Sequence, residues 1–352
     1  MTARRVYVLL ALAVAVIATA LWVSSQRHLP RDVDIGNKLF AALRKNELTE
    51  IDLSKAGMKR MVTLRSNGNE WTVGERDSYP ADASKVRALV LGVADLKIIE
   101  EKTSDPKNYS ALGVEDTVKP TASGTQIDLK TATGSDSLIV GRVSGGQTAF
   151  VRKPGSARSY LVAPQIYADA EPKNWLYRPI ADVPSDRVQQ AGVTMGKVQY
   201  VLARKSRAAA NLELASAPRG KVLSSDTAGN VAGGALAALE LDDVRKQDAT
   251  HWQSPADHTE IRTFDGWVIG IDGRVDGDQH WIRLTSRYDE ALARQFPPPA
   301  PVAKDTAPPK TQPDVSKDAQ ALAEKSAAWE YEIPKYKYDA FFKPLDEIVK
   351  KP

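Results

Sequence analysis

The sequence contains no cysteine. That excludes disulfides, thiolate metal sites and a cysteine nucleophile, while an exported chain needs no disulfide. Histidine is scarce as well. The four are His28, His251, His258 and His280, so imidazole chemistry has few places to act. Charge of one sign is missing too: 48 Lys and Arg are interspersed with 44 Asp and Glu, for a net +4. A nucleic-acid footprint needs a concentrated basic patch, so no nucleic-acid partner is expected. There is no G-x-S-x-G, no phosphate-binding loop and no G-x-G-x-x-G between a strand and a helix. What remains is a chain of 352 residues, 42% hydrophobic, long enough for two modest domains with real cores.

One long hydrophobic run is present. Arg4 and Arg5 precede an uninterrupted apolar stretch from Val6 to Val23, and Trp22 sits near its end. Its length as a helix is about 27 Å, close to the hydrocarbon thickness of a bilayer. The arginines before it favour a cytoplasmic N-terminus and a body outside. The run therefore reads as a single-pass anchor over residues 1–29. A cleaved signal peptide competes with this reading, with Ala18-Thr19-Ala20 as the cleavage site.

The body repeats itself. "GRVSGGQ" at 141–147 returns as "GRVDGDQ" at 273–279, an offset of 132. Across 125–147 eight positions are identical at this offset, among them Thr131/Thr263, Gly134/Gly266, Gly141/Gly273 and Gln147/Gln279. In the first half four β-prone segments, "TQIDLKT", "DSLIVGRV", "QTAFVRK" and "RSYLVAP", are separated by Gly-bearing turns. That pattern predicts an antiparallel meander. "TEIRTF", "WVIGIDGRV" and "HWIRLTS" repeat its first three strands, and "YEIPKYKY" reads as the fourth. The offset of that fourth segment has grown to 171, so the second half carries an insertion. Pro297–Asp318 holds seven of the chain's 21 prolines and reads as a loop with no core of its own, or as a recognition segment for a partner.

Each half also begins alike. In the first, "TEIDLS" is a strand and "KRMVTLRSNGNEWTVGE" a hairpin turning at Asn67-Gly68. A helix over Ala83–Lys97 follows, with Asp82 as N-cap and Val86, Leu89, Val90, Val93 and Leu96 on one face. In the second half "KVQYVLARK", "NLELASA" and "KVLSS" are the strands, and Asn230–Leu241 the helix. The expected fold is α+β: an N-terminal transmembrane helix, then two repeated units of meander plus helix at 48–180 and 196–350. Trp71, alternating with Val73, is expected to plug the core under the first helix; an exposed ligand platform is the other reading.

Chemistry has few candidates. His251, Asp257, His258 and Glu260 in "HWQSPADHTE" form the one cluster that hints at a metal, but the spacing fits no helical zinc motif. Asp272, Asp276 and Asp278 in "DGRVDGD" suggest calcium, yet strands flank them and the EF-hand glutamate is missing. Asp242-Asp243 is an ordinary helix-end pair. No catalytic, cofactor-binding or metal residue is assigned, and no cofactor is expected.

The ordered set of "IDLS", "VTLRSNGNEWTV", "PADASKVRALVLGVADL", "YSALGVED" (Tyr109–Asp116) and "FVRKPGSARSYLV" resembles the family known as domain of unknown function 4340. The resemblance covers most of residues 48–350. It implies a membrane-anchored bacterial protein with an extracytoplasmic body, accessory to a gliding-motility type ABC exporter. From it follow the expectations of a bacterial inner-membrane location, a periplasmic body and inner-membrane transporter subunits as partners, with the oligomeric state open. The family brings no established catalytic residues. Three functions compete: a non-enzymatic accessory or scaffold; a module binding a glycan or envelope polymer through Trp252, Trp267 and Trp281; and a hydrolase with an unrecognised site. Exposure of Trp267 and Trp281 would favour the second, burial the first.

Overall fold

The computed structural model describes residues 16, 17, 19, 35–40, 43, 47–68, 70–252, 257–297 and 314–350. The anchor run lies outside them except for Val16, Ile17 and Thr19, which are helical. Among the described residues no helix is long and apolar enough to cross a membrane. Residues 298–313 of the insertion also lie outside.

The chain is mostly β with some helices. In order the strands are β1 (Leu48–Lys55), β2 (Lys59–Ser66), β3 (Trp71–Val73), β4 (Tyr79–Pro80), β5 (Lys97–Thr103), β6 (Thr125–Thr131), β7 (Ser135–Ser144), β8 (Thr148–Arg152), β9 (Ser159–Ala163), β10 (Pro179–Ala181), β11 (Val188–Met195), β12 (Val198–Ala203), β13 (Glu213–Ser216), β14 (Leu239–Glu240), β15 (Asp243–Lys246), β16 (Asp257–Thr263), β17 (Trp267–Asp276), β18 (Gln279–Tyr288) and β19 (Trp329–Glu332). Two large antiparallel sheets result. One has the order β4-β3-β2-β1-β6-β7-β8-β9-β5, the other β13-β12-β11-β16-β17-β18-β19-β15; β10 and β14 form a small ribbon. Apart from β4, the two orders are the same. In each, a strand that precedes the meander in the chain is placed beyond the meander's last strand. The compact units are Met1–Arg60 with Arg87–Ala170, and Met61–Val86 with Glu171–Pro352.

The likeness extends to register. Leu48 faces Thr131 and Glu50 faces Lys130, with a bulge between; Val188 faces Thr263 and Gln190 faces Arg262, with a bulge at the same place. A bulge adds one residue and bends its strand, so the same bend recurs. Two local differences compensate. The turn from Arg262 to Val268 is one residue longer than that from Lys130 to Ser135, while β7 carries an irregularity between Val140 and Val143 that β17 lacks. The constant sequence offset conceals both.

The cores follow from the alternation. Ile127, Leu129, Leu138, Ala149, Val151 and Val162 are buried in the first meander; Ile261, Ile269, Ile271, Ile282 and Leu284 in the second. Each such valine, leucine or isoleucine contributes about 1.5–3 kcal/mol on burial. The helix Ala83–Ala94 forms where the 3.6-residue stripe predicts it, and Val86, Leu89, Val90, Val93 and Leu96 are all buried. Asp82 caps it: Oδ1 accepts from the Ser84 N–H at 2.9 Å and the Lys85 N–H at 3.4 Å. It ends three residues before Lys97, because Lys97 opens β5.

Several expectations are corrected. The second-half helix is only Asn230–Gly233; Gly233-Gly234 and the left-handed Ala238 (φ 44°) turn the chain, and Leu239 enters β14. The fold is therefore mostly β rather than a helix per unit. "KVLSS" makes no strand, only a bridge between Leu223 and Val349, and the third strand is β13 within "NLELASA". "YEIPKYKY" splits into β19 and, after Pro334, the helix Lys335–Phe341. The insertion ends earlier than its composition suggests. Asp314 caps the helix Val315–Ser326, whose Val315, Ala319 and Leu322 are buried.

Trp71 is not the core plug. It is half-buried, and in its hairpin Val73 and Tyr79 are the enclosed residues, 0% and 1% exposed. The Tyr79 ring stands edge-on to Trp329 at 5.0 Å and to Tyr331 at 6.4 Å. Burial pushes the hydroxyls of both tyrosines far above the ordinary phenol value. The Tyr79 hydroxyl has no hydrogen-bond partner among the described residues. Tyr79→Ala is therefore expected to cost about 3–5 kcal/mol and Trp71→Ala about 1–2 kcal/mol, while Tyr79→Phe is neutral or stabilising. Denaturant unfolding of residues 30–352 ranks the three, and a Trp71→Ala cost above that of Tyr79→Ala would restore the plug role to Trp71.

Candidate functional site

Two polar clusters stand out, one in each compact unit. In the first, "YSALGVED" curls over the meander. Tyr109 starts a one-turn helix that ends at Gly113, left-handed at φ 72°. Tyr109, Val114 and Ile139 form a buried cluster with Leu112 and Phe150 against it. The segment lies so close to the sheet that a Cβ on Gly141 would meet the Leu112 carbonyl oxygen at 2.3 Å, and one on Gly124 the Gly113 carbonyl oxygen at 2.4 Å. Arg152 on β8, 1% exposed, holds it there. Its guanidinium donates to the Val114 carbonyl at 2.7 Å, the Ser156 carbonyl at 2.8 Å and Asp116 Oδ1 at 2.6 Å. The Tyr109 ring lies 4.5 Å from it. Gly124, Gly141 and Arg152 thus act together to dock one loop on the sheet.

In the second unit the centre is Glu330 on β19, fully buried. Arg245, directly opposite on β15, donates from Nε to Oε2 at 2.6 Å. The Asp248 N–H and Trp252 Nε1 donate to Oε1 at 2.9 and 2.7 Å, and His251 Nδ1 lies 3.0 Å from Oε2. Asp248 builds the turn that delivers these groups, accepting at 2.8 Å from both the Thr250 N–H and hydroxyl. Burial alone would raise the Glu330 pKa; the donations from Asp248, Arg245, Trp252 and His251 outweigh it and hold the carboxyl below its ordinary value. The Arg245 guanidinium also covers the Trp281 ring at 3.8 Å.

Nearby, His258 Nδ1 lies 2.7 Å from Asp272 Oδ1, and Arg283 donates to Oδ2 at 2.8 Å. The bond to Asp272 raises the His258 pKa. Arg283 in turn stacks over Trp252 at 4.8 Å. The sequence cluster is therefore dispersed: His251 goes to Glu330, His258 to Asp272, Glu260 to Arg262, and Asp257 is raised by burial. Among the described residues no group of three or more His, Asp or Glu could hold a metal. Asp276 and Asp278 flank the hairpin turn at Gly277 (φ 61°). Asp242 pairs with Arg178 and Asp243 with Arg76.

Trp267 and Trp281 are 7% and 5% exposed and Trp252 is half-buried, so two of the three tryptophans of the polymer-binding alternative are enclosed. Trp267 donates to Ser286 at 2.8 Å. A shallow open groove runs past Lys205, Arg207, Gln295 and Phe296, but its cations are engaged. Arg207 donates to the Phe264 and Phe296 carbonyls, and Lys205 pairs with Glu213. His280 packs edge-on to Tyr338 at 5.0 Å.

Sequence reasoning missed Glu330 and Arg152. An arginine alternating with Phe150 on a core strand was the available signal for the second; nothing local marks the first. In the comparisons with known proteins, the family described as domain of unknown function (DUF4340) matches residues 71–257. No curated protein and no solved structure matches the chain.

Proposed function

From the premise that this chain belongs to the DUF4340 family, we propose that it is a non-enzymatic accessory or scaffold protein of an ABC-type transport or envelope system. In this reading it is held in the bacterial inner membrane by residues 6–23, with a periplasmic body contacting transporter subunits. The observation that carries the reading is that the central group of each polar cluster, Glu330 in one and Arg152 in the other, is fully engaged. Every oxygen of Glu330 and three nitrogens of Arg152 are engaged by the protein's own groups, which makes them ties rather than reagents. The repeated strand order supports a duplicated β platform, and the length of the apolar run supports an anchor. Affinity capture of the full-length protein in mild detergent should co-purify integral membrane subunits of a transporter. Capture of soluble proteins alone would sink the proposal.

The topology makes a separate prediction. A reporter fused after Lys350 should be active only outside the cytoplasm, and the protein should stay in the membrane pellet after a carbonate wash. Release of an intact body into the wash would show that Val6–Val23 is cleaved instead.

A further inference from the structure

Residues just beyond the anchor are bound to the first sheet. The Gly36 N–H donates to the Ile98 carbonyl at 2.8 Å, the Ile98 N–H to the Asn37 carbonyl at 3.0 Å, and the Leu39 N–H to the Leu96 carbonyl at 2.8 Å. Lys38 pairs antiparallel with Lys97, and Phe40 is 6% exposed under the Lys153 ammonium. A short strand is thus added to the edge of β5, covering backbone groups that would otherwise stand open. Val23 and Gly36 are thirteen residues apart. That length spans at most about 45 Å. An anchor ending at Val23 therefore holds this edge within about 45 Å of the bilayer.

The outer face of the edge suits such a neighbour. Ile98 points into the core, 5% exposed, so Lys97 and Ile99 point out; Ile99 is 45% exposed and Ile35 63%. Lys38 and Lys97 stand directly opposite each other, an arrangement that repels unless an anion is near. Asp95 meets Lys38 at 2.7 Å, whereas Lys97 has no ion-pair partner among the described residues. The acids of β5 are themselves met: Glu100 by Lys102 at 2.6 Å and Glu101 by Arg158 at 3.7 Å. Lysine beside exposed isoleucine is the chemistry of an anionic lipid surface. We propose that the outer face of β5, with Lys97, Lys38, Ile99 and Ile35, is a membrane-proximal surface that rests on anionic lipid headgroups. This rests on the anchor reading above.

The absence of cysteine makes the test direct. Ile99→Cys and, as a control in the same unit, Val118→Cys (68% exposed) are introduced singly into the full chain. Each is labelled with an environment-sensitive fluorophore and reconstituted into vesicles carrying brominated lipid. The vesicles are phosphatidylcholine alone, or equal parts phosphatidylcholine and phosphatidylglycerol. The Ile99→Cys label should be quenched severalfold more than the control in the anionic vesicles. Adding Lys97→Ala should reduce the quenched population about fivefold, the factor for one lysine near an anionic surface. Protein that floats with carbonate-washed vesicles but shows equal quenching at both positions overturns the proposal and leaves the anchor intact. Strong quenching in neutral vesicles, indifferent to Lys97→Ala, overturns the recognition of anionic lipid. Protein that fails to float overturns the anchor reading and this inference with it.

Discussion

Glu330→Ala is expected to destabilise the body by about 3–5 kcal/mol, the cost of breaking a buried charge network by removing one partner. The substitution strands the Arg245 guanidinium, the Trp252 indole N–H and the Asp248 N–H, all of which point at the carboxylate. It also frees the turn Ala249–Trp252 from β19. Glu330→Gln keeps the volume and one acceptor, and should cost less, about 2 kcal/mol. The pH dependence separates charge from packing. The folded carboxyl titrates below its ordinary value, so its contribution is fully present above the unfolded value, near about 4.3. It is lost as pH falls through the lower folded value. Wild-type stability should therefore drop below about pH 4, and Glu330→Gln should flatten that limb. Urea unfolding of residues 30–352 between pH 3 and 7 measures both, with wild type and Glu330→Gln losing stability in parallel as the result that would remove Glu330 from the acid response.

Arg152→Ala should cost about as much, roughly 3–5 kcal/mol. It empties a fully buried volume and leaves the Val114 and Ser156 carbonyls and Asp116 without their donor. Arg152→Lys should not rescue it. A single ammonium cannot address three divergent acceptors while lying flat against the Tyr109 ring. The loss should be local first: amide hydrogen exchange in 109–116 should rise in Arg152→Lys before the rest of the unit loosens. Uniformly faster exchange across β6–β9, with 109–116 no different, would show that Arg152 supports the sheet rather than the loop.

The meanders could be read from the chain because their signals are local. Turn glycines at 145–146, 266 and 277 take positive φ, and the strands between them alternate. The first helix carried both a cap and a stripe. Asn230–Leu241 misled because Ala235, Leu236, Leu239 and Leu241 are all buried at spacings that suit a helix, while the backbone between them turns at Gly234 and Ala238. The placement of the strands outside the meanders was not readable. β15 has no local reason to join β19 rather than β14, and the choice is made by tertiary pairing. Glu330 was invisible for the same reason: Glu330 and Glu332 look alike in "WEYE", and what distinguishes them is a turn some eighty residues earlier. Trp71 shows the converse error, a large residue with correct periodicity whose neighbours leave it half covered.

The shared strand order also dictates when each sheet can be finished. Lys97 must find Ala163, and Asp243 must find Glu332. As the chain emerges from its N-terminus, β5 and β15 are made first and their neighbours β9 and β19 last. Each meander can zip through successive hairpins within microseconds, yet the waiting strand has no ladder to join until the fourth strand exists. Closure over such separations is slow, and an unpaired strand in the meantime invites the wrong partner. For β15 the wait lasts until residue 329 has been synthesised, past the proline-rich stretch. A released chain truncated after Gln312 would therefore hold three strands of the second meander and one idle strand, a species open to capture by a holdase.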